Sequence, residues 1–143
     1  MTTSPLLPSA QRHEPLCTSL AEALSLRFHF DAVYCAVSAS IDGAEVSRAE
    51  AVLRAELPHH LDRDGFSVAS RAQRDLVMWA GGLERNQKVF CGDVLAPATV
   101  FACLWPWSED DGCTLRVGLW HPEARMEDRQ GFEGLLRAWF RCP

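Results

Sequence analysis

The stretch from Ala32 to Ile41 alternates between two kinds of position, with apolar side chains at every second residue from Val33 onward. A period of two is typical of a β-strand that buries one face and leaves the other in water. Asp42 and Gly43 follow with the chemistry of a turn. The pattern therefore predicts a strand over Ala32–Ile41.

Three other segments place their apolar residues at helical spacing. The first is predicted over about Pro15–Arg27, where Pro15 suits a first helical position. The second is predicted to begin at Ser47, because Ser47 and Glu50 have the spacing of a capping box, and to end before Pro58. The third is predicted after Pro122, from the spacing of Phe132, Leu135, Leu136, Trp139 and Phe140.

Short apolar runs separated by turn residues follow one another from Phe66 onward, which is typical of a β-meander. The fourth run is apolar on both faces and is predicted to be a central strand covered on both sides. The last run alternates and is predicted to be covered on one side only. The predicted strands are Phe66–Arg71, Asp75–Ala80, Gln87–Leu95, Thr99–Trp107 and Cys113–Trp120.

Taken together, these elements predict one α+β domain over residues 13–143, preceded by a flexible N-terminal tail at residues 1–12. A length of 143 residues fits a single domain. The order is helix, strand, helix, meander, helix, and short connections make sequential strands neighbours. We therefore expect an antiparallel-rich, curved sheet of five to six strands, with helices packed mainly on one face.

The charge balance and the cysteines change the expected partners and compartment. The formal charge is −5, thirteen of the fourteen basic residues are arginine, and no basic stripe is present. Nucleic acids and anionic membranes are therefore not expected as partners. Six cysteines without a C-x-x-C pair, and without a secretory signal, predict reduced, buried thiols in a cytoplasmic protein. The excess of arginine over lysine suggests a bacterial, GC-rich genome.

The densest group of potential metal ligands is His59, His60, Asp62 and Asp64. Adjacent side chains rarely converge on one ion, and zinc sites normally use spaced ligands such as H-x-x-x-H. The segment is predicted instead to be a polar loop that leaves a helix. Phosphate-binding glycine motifs, calcium loops and nucleophile motifs are also missing from the sequence. The sequence therefore assigns no metal, no cofactor and no catalytic residue.

Five tryptophans among 143 residues are the most unusual feature of the composition. Tryptophan, tyrosine and arginine are typical anchors of protein interfaces. The sequence therefore favours a non-enzymatic protein-binding module: a small acidic bacterial adaptor, chaperone or toxin-immunity-type protein, with a homodimer as a second expected assembly. Trp107 is the best candidate for exposure, because it follows Pro106 at a strand end. The predicted contact residues surround the last hairpin: Trp107, Glu109, Asp110, Asp111, Arg116 and Trp120.

The alternative hypothesis is a cup-shaped domain that binds a small ligand, with or without enzymatic activity. A curved sheet closed by a C-terminal helix can form a pocket lined by apolar residues. A buried Asp93 or a histidine in it would have the chemistry of a general base. An enclosed pocket would favour this hypothesis, and a filled core with an exposed apolar patch would favour a protein partner. The polar candidates are His29, Tyr34, Asp75 and Asp93.

Overall fold

The chain folds into an open, six-stranded antiparallel sheet with helices on both faces, as seen in a computed structural model that describes residues 4–24, 26–84, 86–107 and 112–143. This confirms the predicted α+β class. The strands are β1 (His29–Asp31), β2 (Ala36–Ile41), β3 (His59–Asp62), β4 (Lys88–Cys91), β5 (Thr99–Pro106) and β6 (Cys113–Trp120). The helices are α1 (Leu7–Gln11), α2 (Glu14–Leu24), α3 (Gly43–Glu56), α4 (Arg71–Ala80) and α5 (Met126–Trp139). The sheet order is β1-β2-β6-β5-β4-β3.

The two faces of the sheet are covered unequally. One face packs against α1, α2, α3 and α5 and carries the larger core, which includes Phe90, Leu115 and Phe132. The other face packs against α4, chiefly through Leu76 and Val77. The helices therefore lie mainly on one face, as the sequence predicts. None of the helices within the described ranges is both long enough and apolar enough to cross a membrane.

The central strands show where the alternation pattern holds and where it does not. β5 lies between β4 and β6 and is buried on both faces, which confirms its prediction as a central strand. β6 has the predicted bounds, but it is also buried on both faces, since Arg116 and Gly118 are covered as well as Leu115 and Val117. The prediction that β6 is covered on one side was wrong, because the ring of Phe101 leans across Gly118.

The strands predicted over Phe66–Arg71 and Asp75–Ala80 are replaced by a short 3-10 turn and by α4. Ser70 begins this helix with a capping box: its hydroxyl accepts the N–H of Gln73 at 3.2 Å, and Gln73 accepts the N–H of Ser70 at 3.0 Å. Gly81 ends it with a φ of 119°, which glycine adopts without strain. A short apolar run fits either a strand or one face of a helix. Here the cap at Ser70 and the glycine at position 81 favour the helix.

The second predicted helix has a different start. Asp42 and Glu45 form the capping box of α3, with reciprocal hydrogen bonds of 2.9 and 3.0 Å. Ser47, predicted to cap the helix with Glu50, instead donates to the carbonyl of Gly43 inside it. Both pairs have the capping spacing. Asp42 has the extended backbone that an N-cap needs, since it directly follows a strand.

Two edge strands were not predicted as such. The strand predicted over Ala32–Ile41 is shorter than expected, because residues 32–35 form turns and only Ala36–Ile41 is β2. His29–Asp31 then adds β1 beside it. At the opposite edge, His59–Asp62 pairs with β4, although the sequence predicted a polar loop there. Short edge strands carry too few residues to show a clear period.

The segment that the sequence predicts as part of a loose tail contains α1 and contacts the rest of the fold. Ala10 is fully buried. The hydroxyl of Ser9 donates to the carbonyl of Ala98 and accepts its N–H. The hydroxyl of Ser4 donates to the carboxylate of Asp128 in the first turn of α5. Residues 4–12 are therefore attached both by these hydrogen bonds and by the apolar packing of Leu6, Leu7 and Ala10 against the core. So short an apolar set shows no clear helical period in the sequence.

The link between Ser4 and α5 predicts a pH-dependent contribution to stability. The Ser4 hydroxyl and the N–H of Arg125 lower the pKa of Asp128 below its ordinary value of 3.8. Such a group stabilises the fold above that value, and the contribution is lost as the pH falls through the lowered pKa. We expect Asp128→Asn to reduce the free energy of unfolding by about 1 kcal/mol at about pH 7 and by clearly less near about pH 2. Urea denaturation at both pH values checks this, and equal losses would contradict it.

Candidate functional site

One part of the second sheet face extends past α4 and is not covered by it. We call it the open face. Alternation along β2 and β6 places the side chains of Ser38, Ser40, Thr114 and Arg116 on it. The strand register sets Ser38 beside Arg116, and Ser40 beside Thr114. Ser40 is exposed, and Ser38 and Thr114 are half-buried. Polar side chains thus occupy the part of the sheet that no described helix covers.

The end of β5 adds two tryptophans to the open face. Trp105 pairs with Thr114 across the β5–β6 ladder. Trp107 follows two residues later, and its backbone N–H donates to the carbonyl of Gly112 at 2.9 Å. Its indole N–H donates to the hydroxyl of Thr114 at 3.0 Å. These bonds hold the Trp107 ring in one orientation while 43% of the residue stays exposed.

The centre of the open face is the guanidinium of Arg116, which lies between two aromatic rings. Its central carbon is 3.8 Å from the ring centroid of Tyr34 and 4.2 Å from that of Trp105. Nε donates to the Ser38 hydroxyl at 3.4 Å, and Nη1 donates to the Ala80 carbonyl at 3.2 Å. We call Tyr34, Trp105 and Arg116 the arginine stack. The two cation–π contacts stabilise the charge of the guanidinium and help to hold it in place.

The arginine stack depends on where α4 ends. The Ala80 carbonyl belongs to the last turn of α4, where the helix dipole favours a cation such as Arg116. Gly81 lies directly against Trp105, since a Cβ at this position would stand 2.5 Å from Cη2 of the indole. Only glycine combines this close approach with the positive φ of the helix end. The residues around the stack therefore come from β2, β5, β6, the end of α4 and the turn that holds Tyr34.

Of the residues predicted to contact a partner, the structure brings two to the open face. Trp107 is exposed there, while Arg116 reaches it from a buried position. Trp120 lies in the core under the second face and is 6% exposed, so its side chain does not share that surface. The remaining three lie outside the described residues: Glu109, Asp110 and Asp111.

The residues predicted for a small-ligand pocket do not converge. Tyr34 belongs to the arginine stack, and His29 is exposed on the edge strand β1. Asp75 is exposed on α4. Asp93 is exposed rather than buried, and its carboxylate accepts the N–H of Leu95 at 2.9 Å as part of a turn. An exposed turn residue lacks the desolvation that would make it a general base.

Sequence reasoning left four residues of the open face out of the site, namely Ser38, Ser40, Trp105 and Thr114. Trp105 shares its strand parity with Trp107, and Thr114 shares its parity with Arg116, so that signal was present in the sequence. Ser38 has the same parity as the exposed side of β2. The sequence could not show how α4 docks on the sheet and leaves these residues uncovered, because docking is a property of packing between distant segments.

His60 is hydrogen-bonded within the fold, and Cys91 and Cys103 are buried. The ring of His60 contacts the carbonyl of Leu57 at 2.9 Å and Nη1 of Arg54 at 3.2 Å. No group of three or more His, Cys, Asp or Glu side chains in the described ranges could hold a metal ion. Burial raises the pKa of Cys91 and of Cys103 to about 12, so both thiols stay protonated and unreactive at neutral pH.

Four clefts of about 40 to 860 Å³ lie elsewhere on the molecule. The most apolar of them has about 340 Å³ and lies between α3 and the ends of β4, β5 and β6. Val46 and Leu104 line it, together with the ion pair of Glu50 and Lys88, whose charged atoms are 2.6 Å apart. Neither the arginine stack nor Trp107 lines any of these four clefts. The open face is thus distinct from these four clefts.

Comparison with protein-family models, with curated proteins and with solved structures finds no match to this chain. The open face is the place where exposed aromatic area, a preorganised cation and hydroxyl groups meet. It is the candidate functional site.

Proposed function

We propose that this chain is a non-enzymatic protein-binding module and that the open face is its contact surface. The supporting observation is the arginine stack beside the partly exposed Trp107. Tryptophan, tyrosine and arginine carry a large share of the binding energy at protein interfaces. Here Trp105 and Arg116 lie on strands and the indole of Trp107 is held by its hydrogen bond to Thr114, so little conformational entropy is lost when a partner binds.

The proposed partner is a protein rather than a nucleic acid, because a net charge of −5 opposes a phosphate backbone. The classes that fit are a cytoplasmic bacterial adaptor or chaperone and a toxin-immunity-type protein. Each of them uses a rigid surface and needs no catalytic group. A second copy of the chain is the other occupant considered, and sedimentation of the purified protein separates a homodimer from a monomer that awaits a different partner.

The test is affinity purification of the tagged chain from its native host, with two matched variants. Trp107→Ala removes the exposed anchor of the open face. Leu95→Ala removes an exposed apolar side chain outside it, since Leu95 is 84% exposed in the β4–β5 connection. We expect one stoichiometric protein with the wild type and with Leu95→Ala, and its loss with Trp107→Ala. A partner retained equally by all three chains would overturn the open face as the contact surface.

The same substitution predicts a separation between binding and stability. Trp107→Ala is expected to weaken partner binding by at least about tenfold, which is the scale of an interface anchor. Its melting temperature is expected to fall by no more than about 4 °C, because much of the ring is already in water. Calorimetric titration and a thermal melt of the same preparation check both values. A melting temperature lowered much further would place Trp107 in the core instead.

A further inference from the structure

We infer that the arginine stack receives a carboxylate side chain, aspartate or glutamate, from the protein partner. This inference rests on the proposed function, because it names the chemistry that the open face recognises. The supporting observation is that the stack has more hydrogen-bond donors than the described residues provide acceptors for.

Arg116 is nine-tenths buried, with 8% exposure. A guanidinium has five N–H donors. Nε and Nη1 donate to neutral oxygens, those of the Ser38 hydroxyl and the Ala80 carbonyl. None of the ion pairs formed among the described residues involves Arg116. Tyr34 and Trp105 pack against the guanidinium, and Nε and Nη1 are already engaged, so the edge that carries Nη2 is the part left for an acceptor from outside.

Trp105 is a second donor without an acceptor. Its indole Nε1 is buried, and within the described ranges no hydrogen-bond partner is found for it. Buried polar groups in folded proteins are nearly always paired. Two adjacent side chains of the stack therefore supply more donors than their surroundings satisfy, and one of them carries a full positive charge. A carboxylate matches this environment best, because it only accepts hydrogen bonds and pairs with arginine in a planar, two-point geometry.

The shape of the site favours a carboxylate presented by a protein over a free small acid. The residues of the arginine stack line none of the four clefts described above and belong instead to one sheet face. The hydroxyl-bearing residues Ser38, Ser40 and Thr114 lie beside the stack on the same sheet face, and Ser40 is exposed there. A partner that lies over this surface excludes water, and the attraction between carboxylate and guanidinium is stronger where water is excluded.

The experiment starts with a random 12-residue peptide display library as the probe. Peptides are selected on the wild-type chain and counter-selected on Ser40→Tyr, which adds bulk to the open face at an exposed strand position. In each selected peptide the acidic residues are exchanged for their amides. On the protein side, Arg116→Met keeps an unbranched side chain and removes the charge. Affinities are measured by fluorescence anisotropy for all four combinations of peptide and protein.

We expect each single change to weaken binding by at least about tenfold, and both together to weaken it no more than either alone. Peptides that depend on the open face but tolerate the amide exchange would overturn the carboxylate and leave the proposed function standing. Failure to select any peptide that depends on the open face, together with no partner from the native host, would overturn both.

Two controls keep the result decisive. Circular dichroism shows whether Arg116→Met folds. If it does not, the amide exchange in the peptide decides the outcome alone, because it leaves the protein unchanged. Acetate is added as a competitor against matched chloride. Full displacement of the acidic peptide by acetate would assign the site to a free small acid and overturn the inference of a partner side chain.

Discussion

Replacing Leu76 by Ala is expected to lower the free energy of unfolding by about 3 kcal/mol, the usual cost of deleting a buried leucine side chain. Leu76 is fully buried, and it packs in the core between α4 and the second sheet face. Met78→Ala is the matched control. Met78 is 64% exposed on the same helix, so its loss is expected to change stability by about 0.5 kcal/mol or less.

This pair of variants tests whether the segment is the helix α4 or the strand that the sequence predicts over Asp75–Ala80. On a strand, Leu76 and Met78 would point to the same face and would be equally buried. On a helix, residues two apart point in different directions. Urea denaturation of the two variants measures the difference directly. Equal losses would contradict α4, and with it the position of the Ala80 carbonyl beside Arg116.

Gly118→Ala is expected to lower the free energy of unfolding by about 2–3 kcal/mol, because the added methyl group has no space. A Cβ at Gly118 would lie 2.5 Å from Cζ of Phe101 and 2.9 Å from Cβ of Ala36. The same substitution at Gly134, where nothing lies within 4 Å, is the control. In that helical position alanine is expected to raise stability by about 0.5–1 kcal/mol.

A second substitution tests the stated cause of this effect. Phe101→Leu replaces the ring that leans over Gly118 by a smaller side chain. In the Gly118→Ala background this change should recover part of the lost free energy of unfolding. In the wild-type background the same change should only destabilise, because it opens a cavity. Denaturation of the four chains of this cycle gives the coupling energy. Additive losses would show that the Phe101 ring does not limit the space at Gly118.

Local sequence patterns predicted most of the long strands and helices correctly. β6 was predicted with its observed bounds, and β5, α2 and α5 differ only at their ends. The predictions for residues 66–80 failed because a short apolar run fits both periods, and the cap at Ser70 was not recognised. The start of α3 was misplaced because Asp42 and Ser47 both have the capping spacing.

The candidate site was less predictable than the fold. The position of Trp107 at a strand end indicated its exposure, and parity indicated that Arg116 and Thr114 share one face. Nothing in the sequence indicated that Arg116 is buried between Tyr34 and Trp105. These three residues come from separate segments, and they meet only because the β2–β6 and β5–β6 pairings bring those segments together.

The sequence by itself determined the α+β class, the single lysine among thirteen arginines, the net negative charge and the faces on which the residues of β5 and β6 lie. These properties are either sums over the composition or patterns among residues that are neighbours along the chain. The tertiary structure alone decided which part of the second face α4 covers and where its last carbonyls point. Burial of Arg116 follows from that docking, because a side chain is covered by whichever distant segment packs over it. The hydrophobic pattern of β6 does not show which segment that is.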